Sequence, residues 1–194
     1  MDSYFKHYTL VVVSFFALLT SAVATPVASV AVRDAAGKWH LPFEARGNKA
    51  SVLLFVAHDC PISNSYAPEI NRLQSQFGNQ NIVFYIVYVD SNMSATAARK
   101  HAHDYAFKST LLLDTKHVLA KATGATVTPE AIVILPGGRL IYRGRIDNKH
   151  VAYGKTRRAA TQRDLRDALQ LVLDNKPPKQ PIFTTAVGFF IPED

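Results

Sequence analysis

One junction in the first half of this chain constrains it more than any other feature. Ser51 to Ala57 is a continuous apolar run of strand length, as a strand buried on both faces should be. His58-Asp59 follows at once, then Cys60-Pro61-Ile62-Ser63, then a helical pattern from Ser63 to Phe77. A buried strand feeding a helix through so short a turn puts Cys60 at a helix start. Backbone N–H groups there lack intrahelical partners and the helix dipole is positive. A thiolate in that position is stabilised and becomes a better nucleophile at neutral pH.

Cys60 is the only cysteine among 194 residues, so no intrachain disulfide can form. The thiol is therefore an inert buried group, a reactive monothiol, or half of an intermolecular link. The first 24 residues read as a secretory leader. A short polar start balances Lys6 against Asp2, an apolar run spans Thr9 to Thr20, and Ala22-Val23-Ala24 offers a small-residue cleavage site. The expectation is a periplasmic or secreted protein, with an uncleaved N-terminal membrane anchor as the alternative. Residues 25–194 are long enough for one domain with a real core, ending in an irregular tail from about residue 177.

The basic excess is local. Residues 139–179 hold eleven Lys or Arg against four Asp or Glu, a surplus equal to the whole net charge of +7. Export and the lack of any binding motif argue against nucleic acid. A solvated basic face is the simplest reading; an acidic partner or an anionic membrane surface is the other.

Along the chain, Ala28 to Leu41 reads as an N-terminal hairpin turning at Asp34-Ala35-Ala36-Gly37. In the first long helix, Tyr66, Ile70, Leu73 and Phe77 share one face, Pro68 should kink it, and Gly78 should stop it. Asn81–Val89 is the strongest strand, Ser94–Tyr105 a helix, Thr110–Leu113 a strand and Lys116–Thr123 a helix ending at Gly124. Glu130–Leu135 and Arg139–Tyr142 form a hairpin over Pro136-Gly137-Gly138. Thr161-Gln162-Arg163-Asp164 reads as a capping box opening a last helix. The order gives an α/β sandwich: a central mixed β-sheet flanked by helices.

A second segment agrees with the Cys60 turn on one site. Val127-Thr128-Pro129-Glu130 precedes an apolar strand, and a proline there is tolerated at the strand head. An X-Pro bond can be cis at a cost of about 0.5–1 kcal/mol, which would turn the Thr128 backbone toward whatever docks above it.

Together these motifs resemble the thioredoxin superfamily. Cys60-Pro61-Ile62-Ser63 matches its Cys-x-x-Cys turn with Ser in the last place, Pro68 its kinking proline, and Thr128-Pro129 its cis-proline loop. The additional helix and Thr110–Leu113 strand resemble the insertion of the redoxin branch, the AhpC/TSA and cytochrome-maturation types. Asp59 to Asn64, Tyr66 to Ile70, Thr128 to Ala131 and Tyr142 to Asp147 resemble a group of exported bacterial redoxin-domain proteins. Members of that group often end in Gly-Cys; here Gly188 is followed by Phe189, where a resolving cysteine would stand.

The resemblance implies Cys60 as nucleophile, Ser63 as a hydroxyl donor to its thiolate, and Thr128 with Pro129 as the substrate-docking edge. Asp59 works against negative charge on the sulfur, with His58 and Arg145 as compensating cations. It implies thiol or disulfide partners, protein or small-molecule, an external reductant, and no cofactor. No metal site is expected: His101 and His103 do not share a helix face, and a copper carrier on this fold needs a second thiol. The resulting function is an exported monothiol oxidoreductase. The alternatives are a redox-inactive binding module, or a 1-Cys thiol peroxidase, which Ala57 disfavours by replacing a Thr typical of peroxiredoxins.

Overall fold

A computed structural model describes residues 30–192, so the leader expected over residues 1–24 lies outside the described residues. Strands β1 (Val32–Arg33) and β2 (Trp39–His40) form the N-terminal hairpin. Asp34 shapes its turn by accepting the backbone N–H groups of Ala36 and Lys38. β3 (Ala50–Val56) is buried at every residue. It pairs in parallel with β4 (Ile82–Tyr88) and antiparallel with β7 (Glu130–Leu135). β5 (Thr110–Leu113) lies beyond β4, and β8 (Arg139–Gly144) beyond β7. The small strand β6 (Val127–Thr128) leads into β7. β9 (His150–Ala152) and β10 (Lys155–Thr156) make a separate hairpin.

Side chains of β3 alternate between two cores. Val52, Leu54 and Val56 pack with α2 (Ala67–Phe77), with Ala98 of α3 (Ala95–Asp104) and with α5 (Asp164–Leu173). Leu53 and Phe55 pack with Phe43 and with α4 (Val118–Thr123) on the opposite face. The mixed sheet with helices on both sides is the architecture expected. Ser94 caps α3 by accepting the Ala97 N–H at 3.1 Å. No described helix is long and apolar enough to cross a membrane.

Three local expectations change and one is refined. The helix after Cys60 starts at Pro61, not Ser63, and is broken rather than bent: α1 (Pro61–Ser65) ends at Tyr66, and α2 begins with Pro68 in its first turn. Proline suits that position, where its missing N–H is not needed. α2 does stop at Gly78, its C-cap, but Gly78 sits at φ −60° rather than in the left-handed region; a 3-10 turn runs on to Gln80, and Asn81 takes the left-handed conformation at φ 59°. Asn accepts that region more readily than most residues. Thr161 is not a cap, because α5 starts two residues later than a cap there requires and the buried Asn148 holds the Thr161 N–H and Oγ1, each at 2.8 Å. The tail from residue 177 is not irregular throughout. It adds β11 (Ile182–Phe183), parallel to β8 at the sheet edge, and β12 (Phe189–Phe190), antiparallel to β6.

Ile70 is fully buried on α2 against the sheet. Ile70→Ala should lower unfolding free energy by about 2–5 kcal/mol in urea titration, from lost transfer energy plus the cavity left behind.

Candidate functional site

Cys60 occupies the junction between β3 and α1. Its backbone is extended, at φ −81° and ψ 109°, and its side chain caps α1. The Ser63 N–H donates to Sγ at 3.4 Å. From across the molecule the Thr128 carbonyl accepts from Sγ–H at 3.3 Å. The Thr128–Pro129 peptide bond is cis. The four residues proposed from sequence, Cys60, Ser63, Thr128 and Pro129, therefore meet at one place, although 68 positions separate the contacting pair.

The contacts differ from expectation in three ways. Ser63 meets the sulfur through its backbone N–H; its hydroxyl is buried without a hydrogen-bond partner. The two suggested cations are engaged elsewhere. His58 Nδ1 pairs with Asp90 Oδ1 at 2.7 Å, and Arg145 Nε donates to Asp164 Oδ2 at 2.8 Å. The edge expected to dock substrate is already paired: Phe189 pairs with Thr128 and Phe190 with Val127, and the Ile191 N–H donates to the Thr126 carbonyl at 2.9 Å. Cys60 is 0% exposed. Phe189, expected at the place of a resolving cysteine, does lie opposite the residue that contacts the thiol.

Two supporting groups were not singled out from sequence. Glu130, 5% exposed at the head of β7, turns back so that Oε2 accepts the N–H groups of Thr126 at 2.8 Å and Val127 at 3.4 Å. An acidic residue opening an otherwise apolar strand was the available signal. Burial pushes its pKa up, and the two amides and Arg143 offset this only in part. Asn64 on α1 donates to the His58 carbonyl at 2.9 Å and accepts from His101 Nε2 at 2.9 Å. That tautomer leaves His101 Nδ1 to accept from Tyr88 OH at 2.9 Å. Burial, with His58 nearby, pushes the His101 pKa below its usual value.

Among the described residues His58, Asp59 and Asp90 could hold a cation, their ligand atoms lying within 4.8 Å of one another. His58 and Asp90 already satisfy each other. His101 faces inward and His103 is exposed, so they do not share a face. A cavity of about 650 Å3 opens beside the docking edge, lined by Glu130, Arg143, Tyr153, Phe183, Gly188 and Phe190 among others. Arg143 is held there by the Gly124 carbonyl and packs over the Phe183 ring, so part of the basic 139–179 segment is structural.

A cysteine turn at a helix start, facing a cis-proline loop across a mixed sheet, defines the thioredoxin-like class. Within it, the chain belongs to the AhpC/TSA family, whose model matches residues 23–143. No curated protein matches the chain. Among solved structures it is similar to a hypothetical protein from Sinorhizobium meliloti 1021, with 21% identity, a TM-score of 0.74, and coverage of 89% of this chain and 94% of that one. An uncharacterized conserved protein from Geobacillus kaustophilus gives 20% identity, a TM-score of 0.76, and coverage of 89% and 92%. A secreted Mycobacterium tuberculosis disulfide oxidoreductase homologous to E. coli DsbE gives 15% identity, a TM-score of 0.51, and coverage of 76% and 96%. At these identities the likeness is one of fold.

The Glu130 carboxyl yields a pH test. Its pKa is raised on folding above the ordinary value of 4.5. The stability it contributes is therefore full below that value and lost as pH rises through the folded pKa. Melting temperatures of wild type and Glu130→Gln should diverge over that interval, with wild type showing the additional decline. Parallel pH profiles would count against this assignment.

Proposed function

We propose that this protein is an exported monothiol oxidoreductase of the thiol–disulfide exchange type, with Cys60 as nucleophile. The observation that carries this reading is the Cys60 sulfur, set between the Ser63 N–H at the start of α1 and the Thr128 carbonyl of the cis-proline loop. A merely structural cysteine needs neither neighbour. Export rests on the leader-like residues 1–24, and a secreted disulfide oxidoreductase among the structural neighbours is consistent with it.

In the reaction, the Cys60 thiolate attacks one sulfur of a substrate disulfide. A Cys60–substrate S–S bond forms as the substrate S–S bond breaks, and the second substrate sulfur leaves as a thiolate that takes up a proton. The Ser63 N–H holds charge on Sγ before attack. Thr128 and Pro129 present the backbone edge along which the substrate lies. Ser63 has no thiol, so an external thiolate must attack the substrate sulfur of the mixed disulfide and return Cys60 as thiolate. Protein or small-molecule disulfides are the substrate class.

The second reading, a redox-inactive binding module, is favoured by one observation, the complete burial of Cys60. Peroxidase chemistry ranks below both, since Ala57 carries no hydroxyl to assist a peroxide.

Intact-mass spectrometry after incubation with a peptide disulfide separates these readings. Wild type should retain a reductant-sensitive adduct on Cys60, and Cys60→Ser should retain none. Ser63→Cys should discharge the adduct by forming a disulfide between Cys60 and the introduced thiol. An equal lack of adduct in wild type and Cys60→Ser, under conditions that keep both folded, would leave the binding module as the better account.

A further inference from the structure

We infer that residues 188–191 form a displaceable strap that closes Cys60, and that Gly188 is the residue that lets the strap seat; this rests on the thiol-exchange reading above. The strap lies on the backbone edge an extended substrate needs. β12 pairs antiparallel with β6, with Phe189 opposite Thr128, and Thr128 Oγ1 donates to the Phe189 carbonyl at 3.5 Å. Gly188 crosses directly over the Thr128 carbonyl. A Cβ at Gly188 would lie 1.9 Å from that oxygen and 3.1 Å from Pro129 N, contacts that backbone atoms cannot relieve by rotation. The same oxygen accepts from Cys60 Sγ. Glycine here serves close approach, since Gly188 is not among the residues with positive φ.

The strap is held by few groups, as a segment meant to open must be. Phe189 is 40% exposed and Phe190 81%, so their rings contribute little burial. Tyr153 OH donates to the Gly188 carbonyl, and its ring stacks on Phe189. Gly188 and Ile191 are buried, and Ile191 is the one strap side chain in the core, with Phe43, Leu119 and Ala125. The occupant that replaces the strap is an extended peptide bearing the disulfide, which takes over the β6 hydrogen bonds by strand addition. Strand exchange and thiol exposure are then one event: Cys60 is shielded until a segment able to pair with Thr128 arrives.

The test is the alkylation rate of Cys60 by iodoacetamide in the folded full-length protein. Gly188→Ala and, independently, Ile191→Ser should each raise it by about tenfold or more, through a larger population of the open form. Gly78→Ala is the control, because a Cβ there meets only Gln74 at 3.7 Å, and its rate should equal wild type. Melting curves confirm that each variant is folded at the assay temperature. Rates equal to wild type in both tail variants would overturn the strap, whatever the exchange activity. Faster alkylation without adduct formation on a peptide disulfide would uphold the strap and count against the exchange reading.

Discussion

Burial of β3 on both faces and along both edges is the constraint on which the molecule depends. A strand with no exposed residue must have a partner on each side and a packed layer above and below. β4 and β7 meet the first demand; α2 with α5, and α4 with Phe43, meet the second. A strand so enclosed has little freedom at its end. The turn from Ala57 to Cys60 therefore delivers the sulfur to a fixed point beyond the C-terminal end of this central strand. β7 runs antiparallel to β3, so its beginning lies beside the end of β3. Pro129 immediately precedes β7, and the Cys60–Thr128 contact follows from the sheet's register.

The electrostatics around the sulfur come from the backbone. Both polar neighbours of Sγ are main-chain groups, the Ser63 N–H and the Thr128 carbonyl. His58, Asp90, Arg145 and Asp164 satisfy one another instead. Backbone dipoles are fixed by the fold and need no side-chain ordering, and a site built from them stays set when surface charges change.

The sheet and the thiol site were legible from sequence because their signals are strong and local. The apolar run to Ala57, the spacing of Tyr66, Ile70, Leu73 and Phe77, and Pro136-Gly137-Gly138 each require one structure. Thr161 misled because a capping box describes four consecutive residues, and Asn148 competes for its hydroxyl from outside that window. The tail strands were illegible for a different reason. Two residues carry no alternation, and Phe183, Phe189 and Phe190 are exposed, so apolar pattern says nothing about their pairing. Gly188 gave no sign of its role, since close approach to a carbonyl far away in sequence leaves no local trace. Arg145 and His58 could not be placed because their partners are distant in sequence.

The bonds made by Asn64 have a consequence for how the thiol is aimed. A helix of five residues is far shorter than one that persists unaided in water. α1 keeps its axis because Asn64 is tied to the His58 carbonyl on one side and through His101 to Tyr88 on the other. The bearing of the Cys60 sulfur is thus set in part by α3, a helix that does not touch the sulfur. An imidazole buried in that helix acts as a strut, and the alignment of the thiol is borrowed from it.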